Sequence, residues 1–109
     1  MTDFEKNEYS IFLTTCAEKE KARLLAEMLV EKRLAACVQM FPAESVYAWQ
    51  GEICADGEIV MFIKSKTAQS DKIADAVKEN HEYEVPELIR IPVTGGLPEY
   101  MKWMDENVD

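Results

Sequence analysis

The feature that most constrains this chain is that its strand-forming segments are apolar on both faces. The clearest segment, residues 58–64, reads Glu-Ile-Val-Met-Phe-Ile-Lys, so three apolar side chains point to one face of a sheet while Val60 and Phe62 point to the other. A sheet with one face in water should alternate apolar and polar residues. An uncovered second face exposes a large apolar patch, so we expect the chain to work as an oligomer. The alternative is that residues 42–57 and a C-terminal helix cover this face within one chain.

The order of the predicted elements indicates an α+β fold of the ferredoxin-like type. Strands are predicted at residues 9–15, 36–41 with a continuation at 45–50, 58–64 and 88–93. Apolar residues at helical spacing predict helices over about 18–33 and 68–80, and a short C-terminal helix over 97–104. The order β-α-β-β-α-β is that of the split βαβ arrangement, in which two helices cover one face of a four-stranded antiparallel sheet.

Local signals refine this plan. Thr15-x-x-Glu18 matches a capping box that starts the first helix, and Pro42 predicts a bulge or an edge in the second strand. Gln50-Gly51 and Asp56-Gly57 are both turn signals, so the turn that closes the hairpin within residues 45–66 stays open. Gly95-Gly96 is predicted to be a turn.

Length and charge limit the domain count and the partners. The 109 residues fit one domain, predicted at 9–109 behind a loose polar segment at 1–8. Twelve Lys and Arg against 21 Asp and Glu give a net charge of −9, which repels nucleic acid and anionic lipid surfaces. No apolar run reaches the roughly 18 residues of a membrane helix and the first residues are not signal-like, so we expect no membrane partner and a cytoplasmic location. The odd number and wide spacing of the three cysteines argue against a disulfide framework and a zinc knuckle.

Five segments, taken in order, resemble motifs of the CutA family, the divalent-cation tolerance proteins. They are Leu-Val-Glu-Lys-Arg-Leu-Ala-Ala-Cys at 29–37, Ser-Val-Tyr-Ala-Trp-Gln-Gly at 45–51, the strand from Glu58 to Lys66, His-Glu-Tyr-Glu-Val-Pro-Glu at 81–87, and Tyr-Met-Lys-Trp at 100–103. The resemblance covers about residues 9–104. It implies a cytoplasmic homotrimer that is linked to tolerance of copper and other divalent cations and is not an enzyme.

The resemblance and the residue types together suggest a metal site. His81, the only histidine, is a candidate ligand for copper or another divalent cation, with Glu87 as a carboxylate partner. Cys16 is a further candidate, because a thiolate at a helix N-terminus is stabilised. The alternatives are a histidine that bonds locally at the end of the second helix and a small first-turn cysteine. A cysteine implicated in copper binding in some family members falls at Thr14 here, which puts a copper site built on that cysteine in doubt.

A second group of residues is expected at a pocket or interface between subunits. Its members are aromatic or charged residues within the family motifs: Tyr47, Trp49, Glu58, Lys64, Tyr83 and Trp103. Aromatic residues line binding clefts and subunit interfaces alike, so both interpretations stay open. No catalytic motif is present. The rival to a metal-tolerance role is therefore a PII-like small-molecule regulatory trimer or a trimeric scaffold.

Overall fold

The computed structural model describes residues 2–3 and 8–109 and confirms the α+β prediction. The strands are β1 (Thr2–Asp3), β2 (Tyr9–Cys16), β3 (Cys37–Trp49), β4 (Glu52–Lys66), β5 (Ile89–Val93) and β6 (Gly95–Gly96). The helices are α1 (Lys19–Glu31), α2 (Ser70–Asn80), which follows a 3-10 turn at Thr67–Gln69, and α3 (Pro98–Asn107). The main sheet is antiparallel with the order β3-β4-β2-β5, which is the predicted topology.

One face of this sheet packs on α1 and α2 and forms the main core. The sheet contributes Phe12, Met61 and Ile63, which are almost fully buried. The helices contribute apolar residues at helical spacing: Ala22, Leu25, Ala26, Leu29, Ile73, Ala76 and Val77. Pairing of Phe12 with Ile63 and of Thr14 with Met61 fixes which side chains point to the helices.

The other face of the sheet is covered at one end only. There α3 packs Met101 and Met104 against Tyr9 and Val93 in a second, smaller core. Beyond it, the apolar side chains that alternate with the core residues stay in part exposed, namely Ile11, Leu13, Phe41, Val60, Phe62, Ile89 and Ile91. We call these seven residues the open face. Within the described residues, α3 covers one end of this face, which agrees in part with the sequence alternative, and the open face beyond it stays partly exposed. The molecule is elongated, 45 × 25 × 23 Å.

The structure identifies the turn that closes the long hairpin of β3 and β4. Trp49 pairs with Glu52 across Gln50-Gly51, whose φ angles are 49° and 80°. Two successive positive φ angles are those of a type I′ turn, whose twist matches that of the flanking strands. Asp56-Gly57 lies inside β4 instead. The register runs without a bulge past Pro42, so the edge alternative holds for that proline.

Two local predictions are wrong. Thr15 does not cap α1, which begins at Lys19 with Glu18 as N-cap and no side-chain cap bond, because pairing of Cys16 with Ile59 extends β2 through the predicted cap. Gly95-Gly96 is a two-residue strand that pairs with Thr2–Asp3, not a turn. The loose segment at 1–8 stays a prediction, since residue 1 and residues 4–7 lie outside the described residues. Among the described helices, none is long and apolar enough to span a membrane.

Candidate functional site

A cleft of about 740 Å³ opens where the β3–β4 hairpin meets the loop at residues 81–88. Five of the residues expected at a pocket or metal site line it together: Tyr47, Trp49, Glu58, Tyr83 and Glu87. The cleft therefore combines three aromatic rings with carboxylates on a concave surface, an arrangement typical of a small-ligand site.

The pleat of the hairpin sets which side chains reach the cleft. Tyr47 and Trp49 are two residues apart on β3 and share one face, and Tyr47 pairs with Cys54 on β4. The Tyr47 hydroxyl donates a hydrogen bond to a carboxylate oxygen of Asp56. This bond raises the pKa of Tyr47 to about 12 and fixes the ring at the wall of the cleft.

The carboxylates make the cleft electronegative. Burial raises the pKa of Glu87, and the charge of Glu58 raises it further. Burial, followed by the charge of Glu58, likewise raises the pKa of Tyr83. Among the ion pairs of residues 8–109, Glu82 pairs with Lys21 at 2.6 Å, whereas Glu58, Glu84 and Glu87 have no cationic partner. The site thus holds negative charge that one chain leaves uncompensated.

The loop that carries Tyr83 and Glu87 is fastened to the end of β2. The Thr14 hydroxyl donates a 2.6 Å hydrogen bond to the carbonyl oxygen of Glu87. The Nε2 atom of His81 donates to the carbonyl oxygen of Thr15, and the Tyr83 amide donates to Nδ1 of His81 at 3.2 Å. Both ring nitrogens of His81 are therefore engaged in hydrogen bonds within this chain.

The three predicted metal ligands do not form a ready-made site in one chain. Cys16 ends β2 rather than starting a helix, and it lies in the core with Sγ 3.6 Å from Sδ of Met61. Burial raises the pKa of its thiol, which disfavours the thiolate. Among the described residues, no group of three or more His, Cys, Asp or Glu side chains is placed to hold a metal ion. Metal ligation by His81, Glu87 and Cys16 stays a prediction.

Lys64 and Trp103 lie away from the cleft in this chain. The Lys64 ammonium is 3.4 Å from the Tyr100 hydroxyl and 5.5 Å from the centre of that ring, and the Trp103 ring lies 5.5 Å from the Tyr100 ring. Lys64 is six residues along β4 from Glu58, roughly 20 Å at the rise of a strand. These two residues lie beside Tyr100 of α3 instead.

The sequence interpretation missed several residues of the cleft wall. They are Thr15, Ser45, Val46, Glu82, Glu84 and Val85. The signal for the two glutamates was present, since they flank Tyr83 in the His-Glu-Tyr-Glu segment. The contribution of Thr15 depends on where the loop docks, which no local pattern indicates.

Comparison with known proteins connects this fold and cleft to one family. The family model described as CutA1 divalent ion tolerance protein matches residues 10–107. The chain is 42% identical over 98 residues to the divalent-cation tolerance protein CutA of Thermus thermophilus, covering 89% of this chain and 95% of that protein. It is 38% identical over 95 residues to a chloroplastic CutA of Arabidopsis thaliana, covering 86% of this chain and 52% of that protein, so it spans about half the length of the plant relative.

A solved structure matches at the level of the whole fold. It is the periplasmic divalent cation tolerance protein CutA of Archaeoglobus fulgidus, with a TM-score of 0.90 and 37% identity. The match covers 93% of this chain and 99% of that one. The similarity therefore extends over nearly all of the described residues, including the hairpin and the loop that form the cleft.

Proposed function

Since the chain belongs to the CutA1 family of divalent ion tolerance proteins, we propose that it acts as a homotrimer in tolerance to divalent cations, with the acidic aromatic cleft as its cation-binding site. The observation that carries the binding site is the pair Glu58 and Glu87. Both carboxylates line one cleft, burial and the charge of Glu58 raise the pKa of Glu87, and neither carboxylate has a cationic partner among the described residues. A bound cation removes this repulsion.

The open face supports assembly. Ile89 and Ile91 are 51% and 40% exposed in the single chain, and with the other members of the open face they form a continuous apolar strip across the sheet. Covering such a strip is favourable by about 25 cal/mol per Å² before the costs of association. The trimer, as opposed to another oligomer, is the state that the family motifs imply.

The proposed cation is copper or another divalent metal. Because one chain gathers no three ligands among its described residues, the carboxylates of Glu58 and Glu87 supply part of the coordination, and water or a neighbouring subunit supplies the rest. Oxygen donors bind many divalent ions with modest selectivity. Binding across ions of different chemistry is what a role in general cation tolerance requires.

A small-molecule regulatory role of the PII type is the second candidate. The specific observation in its favour is the aromatic lining, since Tyr47, Trp49 and Tyr83 offer flat apolar surface that a bare metal ion does not use. Both proposals describe a binding protein rather than a catalyst. The cytoplasmic location stays a prediction, because the Arabidopsis thaliana relative is named as chloroplastic and the Archaeoglobus fulgidus relative as periplasmic.

The test is titration of the metal-free protein with Cu(II) and Zn(II) by calorimetry, alongside sedimentation velocity. We expect a trimer that binds cations, and a fall in affinity of at least about tenfold in Glu58→Gln and in Glu87→Gln, because each variant loses one charged contact. Glu31→Gln on α1 makes the same change of charge on an exposed helix surface and should leave binding unchanged. Wild-type affinity in a variant that combines Glu58→Gln with Glu87→Gln refutes the site, and a monomeric wild type refutes the trimer.

A further inference from the structure

The geometry points to His81 as a positioning residue that clips the cleft loop to the end of β2. We infer that its two ring nitrogens, rather than coordinating a ligand, hold Tyr83 and the following residues in the place where they line the cleft. The consequence for ligand binding rests on the function proposed above. The structural role itself does not depend on it.

Side chains must hold this loop in place, because its backbone forms few hydrogen bonds with other parts of the backbone. Within residues 8–109, no backbone–backbone hydrogen bond outside the helices and strands involves residues 82–87. The chain leaves α2 at His81, whose φ and ψ of −106° and 139° are extended, and it does not pair again until Ile89 enters β5. Such a segment is expected to open easily unless side chains tie it down.

The imidazole satisfies both of its nitrogens on the main chain. A carbonyl oxygen only accepts, so the contact with Thr15 makes Nε2 the protonated donor. An amide N–H only donates, so Nδ1 is the unprotonated acceptor for Tyr83. The two contacts together define the Nε2–H tautomer, and the ring bridges the end of β2 to Tyr83, whose side chain lines the cleft.

Further contacts hold the loop at Glu82, Tyr83 and Glu87. The centres of the His81 and Tyr83 rings are 4.6 Å apart, which adds packing to the hydrogen bonds. At the far end, the fully buried Thr14 holds the carbonyl oxygen of Glu87. The ion pair of Lys21 and Glu82 is exposed and is screened by water, so it contributes little. His81 is therefore the fastening at the near end, and Thr14 the fastening at the far end.

Three variants separate the two bonds of the ring. The amide oxygen of His81→Asn lies near the position of Nδ1 and still accepts from the Tyr83 amide. The amide nitrogen of His81→Gln lies near the position of Nε2 and still donates to Thr15. His81→Ala does neither. Asn80→Ala is the matched control, because it removes a hydrogen bond to Ala76 one residue away at the same helix end.

The measurement is site-resolved amide hydrogen exchange of the full chain in its native assembly, without metal. We expect the Tyr83 amide to exchange roughly 2- to 10-fold faster in His81→Ala and His81→Gln, the effect of losing one ordinary hydrogen bond. It should stay near the wild-type rate in His81→Asn and Asn80→Ala. Amides of the core strands, such as Ile63, should be unchanged throughout, which shows that the variants are folded.

Equal exchange of the Tyr83 amide in wild type and His81→Ala overturns the proposal. So does a rate in His81→Asn as fast as in His81→Ala, because the acceptor at Nδ1 is then not what protects the amide. A residue whose role is metal ligation leaves exchange in the metal-free protein unaltered, so the same data separate the two roles. The exchange measurement uses metal-free protein, so a failure to bind cations in the calorimetry does not change its outcome. Likewise, unchanged exchange in His81→Ala does not change the outcome of the calorimetry.

Discussion

Replacement of Ile91 by glutamate tests whether the open face is the subunit interface. Ile91 lies on edge strand β5, pairs with Ile11, and is 40% exposed in the single chain. Full burial of an isoleucine side chain is worth about 1.5–3 kcal/mol, so assembly gains about 1 kcal/mol from the exposed fraction. A carboxylate buried in the same place adds a desolvation cost of several kcal/mol.

Summed over three subunits, the loss of association free energy is on the order of 10 kcal/mol, which lowers the association constant of the trimer by about a millionfold or more. We therefore expect Ile91→Glu to sediment as a monomer at micromolar concentration. The variant should still fold, because the glutamate can reach water from the exposed part of the site, and circular dichroism checks this.

Leu24→Glu is the matched control for this experiment. Leu24 is 61% exposed on α1, so the same change from an apolar to a charged side chain falls on the outer surface of the helix layer. It should leave the trimer unaltered. A trimer that survives Ile91→Glu refutes the assignment of the open face as the subunit interface.

Two further predictions concern the free energy of unfolding. Ile63→Ala leaves a cavity at a fully buried position of the main core and should lower the free energy of unfolding by about 2–5 kcal/mol. Denaturant titration at fixed protein concentration measures this loss. A loss no larger than that of Leu24→Ala contradicts the core assignment. Burial and the hydrogen bond to Asp105 raise the pKa of Tyr9 to about 12, above the usual value of about 10 in an unfolded chain. The contribution of Tyr9 to the free energy of unfolding is therefore complete below pH 10 and is lost between pH 10 and 12. Tyr9→Phe should reduce this alkaline slope, although Tyr47, whose pKa is raised to about 12 as well, keeps part of it; identical slopes in the two proteins exclude the mechanism.

The fold could be predicted from the sequence because its signals are periodic and mutually consistent. The two-sided apolar pattern of residues 58–64 and the order of the elements determine the sheet and its helix layer. Predictions failed where pairing between distant residues overrides a local motif. Thr15-x-x-Glu18 is a capping box by spacing, but pairing of Cys16 with Ile59 keeps those residues in β2.

The candidate site could be predicted in part. Tyr47, Trp49, Glu58, Tyr83 and Glu87 belong to three separate motifs, and the structure brings all of them to one cleft. The motif that contains Glu58 and Lys64 spans a whole strand, so its two ends lie far apart in space and Lys64 is outside the cleft. Trp103 lies elsewhere because α3 places its ring beside that of Tyr100. The sequence also could not reveal that the main chain already engages both nitrogens of His81, since Thr15 is 66 residues away along the sequence.

The proposed assembly and the proposed cation site are coupled through the charge of the chain. Three copies bring together three times a net charge of −9, which opposes association, while a cation held at each cleft offsets part of that charge. A ligand that binds the trimer more tightly than the monomer stabilises the trimer by mass action. Ile91→Glu leaves Glu58 and Glu87 in place, so titration of that monomer with Cu(II) determines which ligands the cleft needs. Undiminished affinity means that one chain and water complete the site, whereas lost affinity means that a neighbouring subunit supplies the missing ligands.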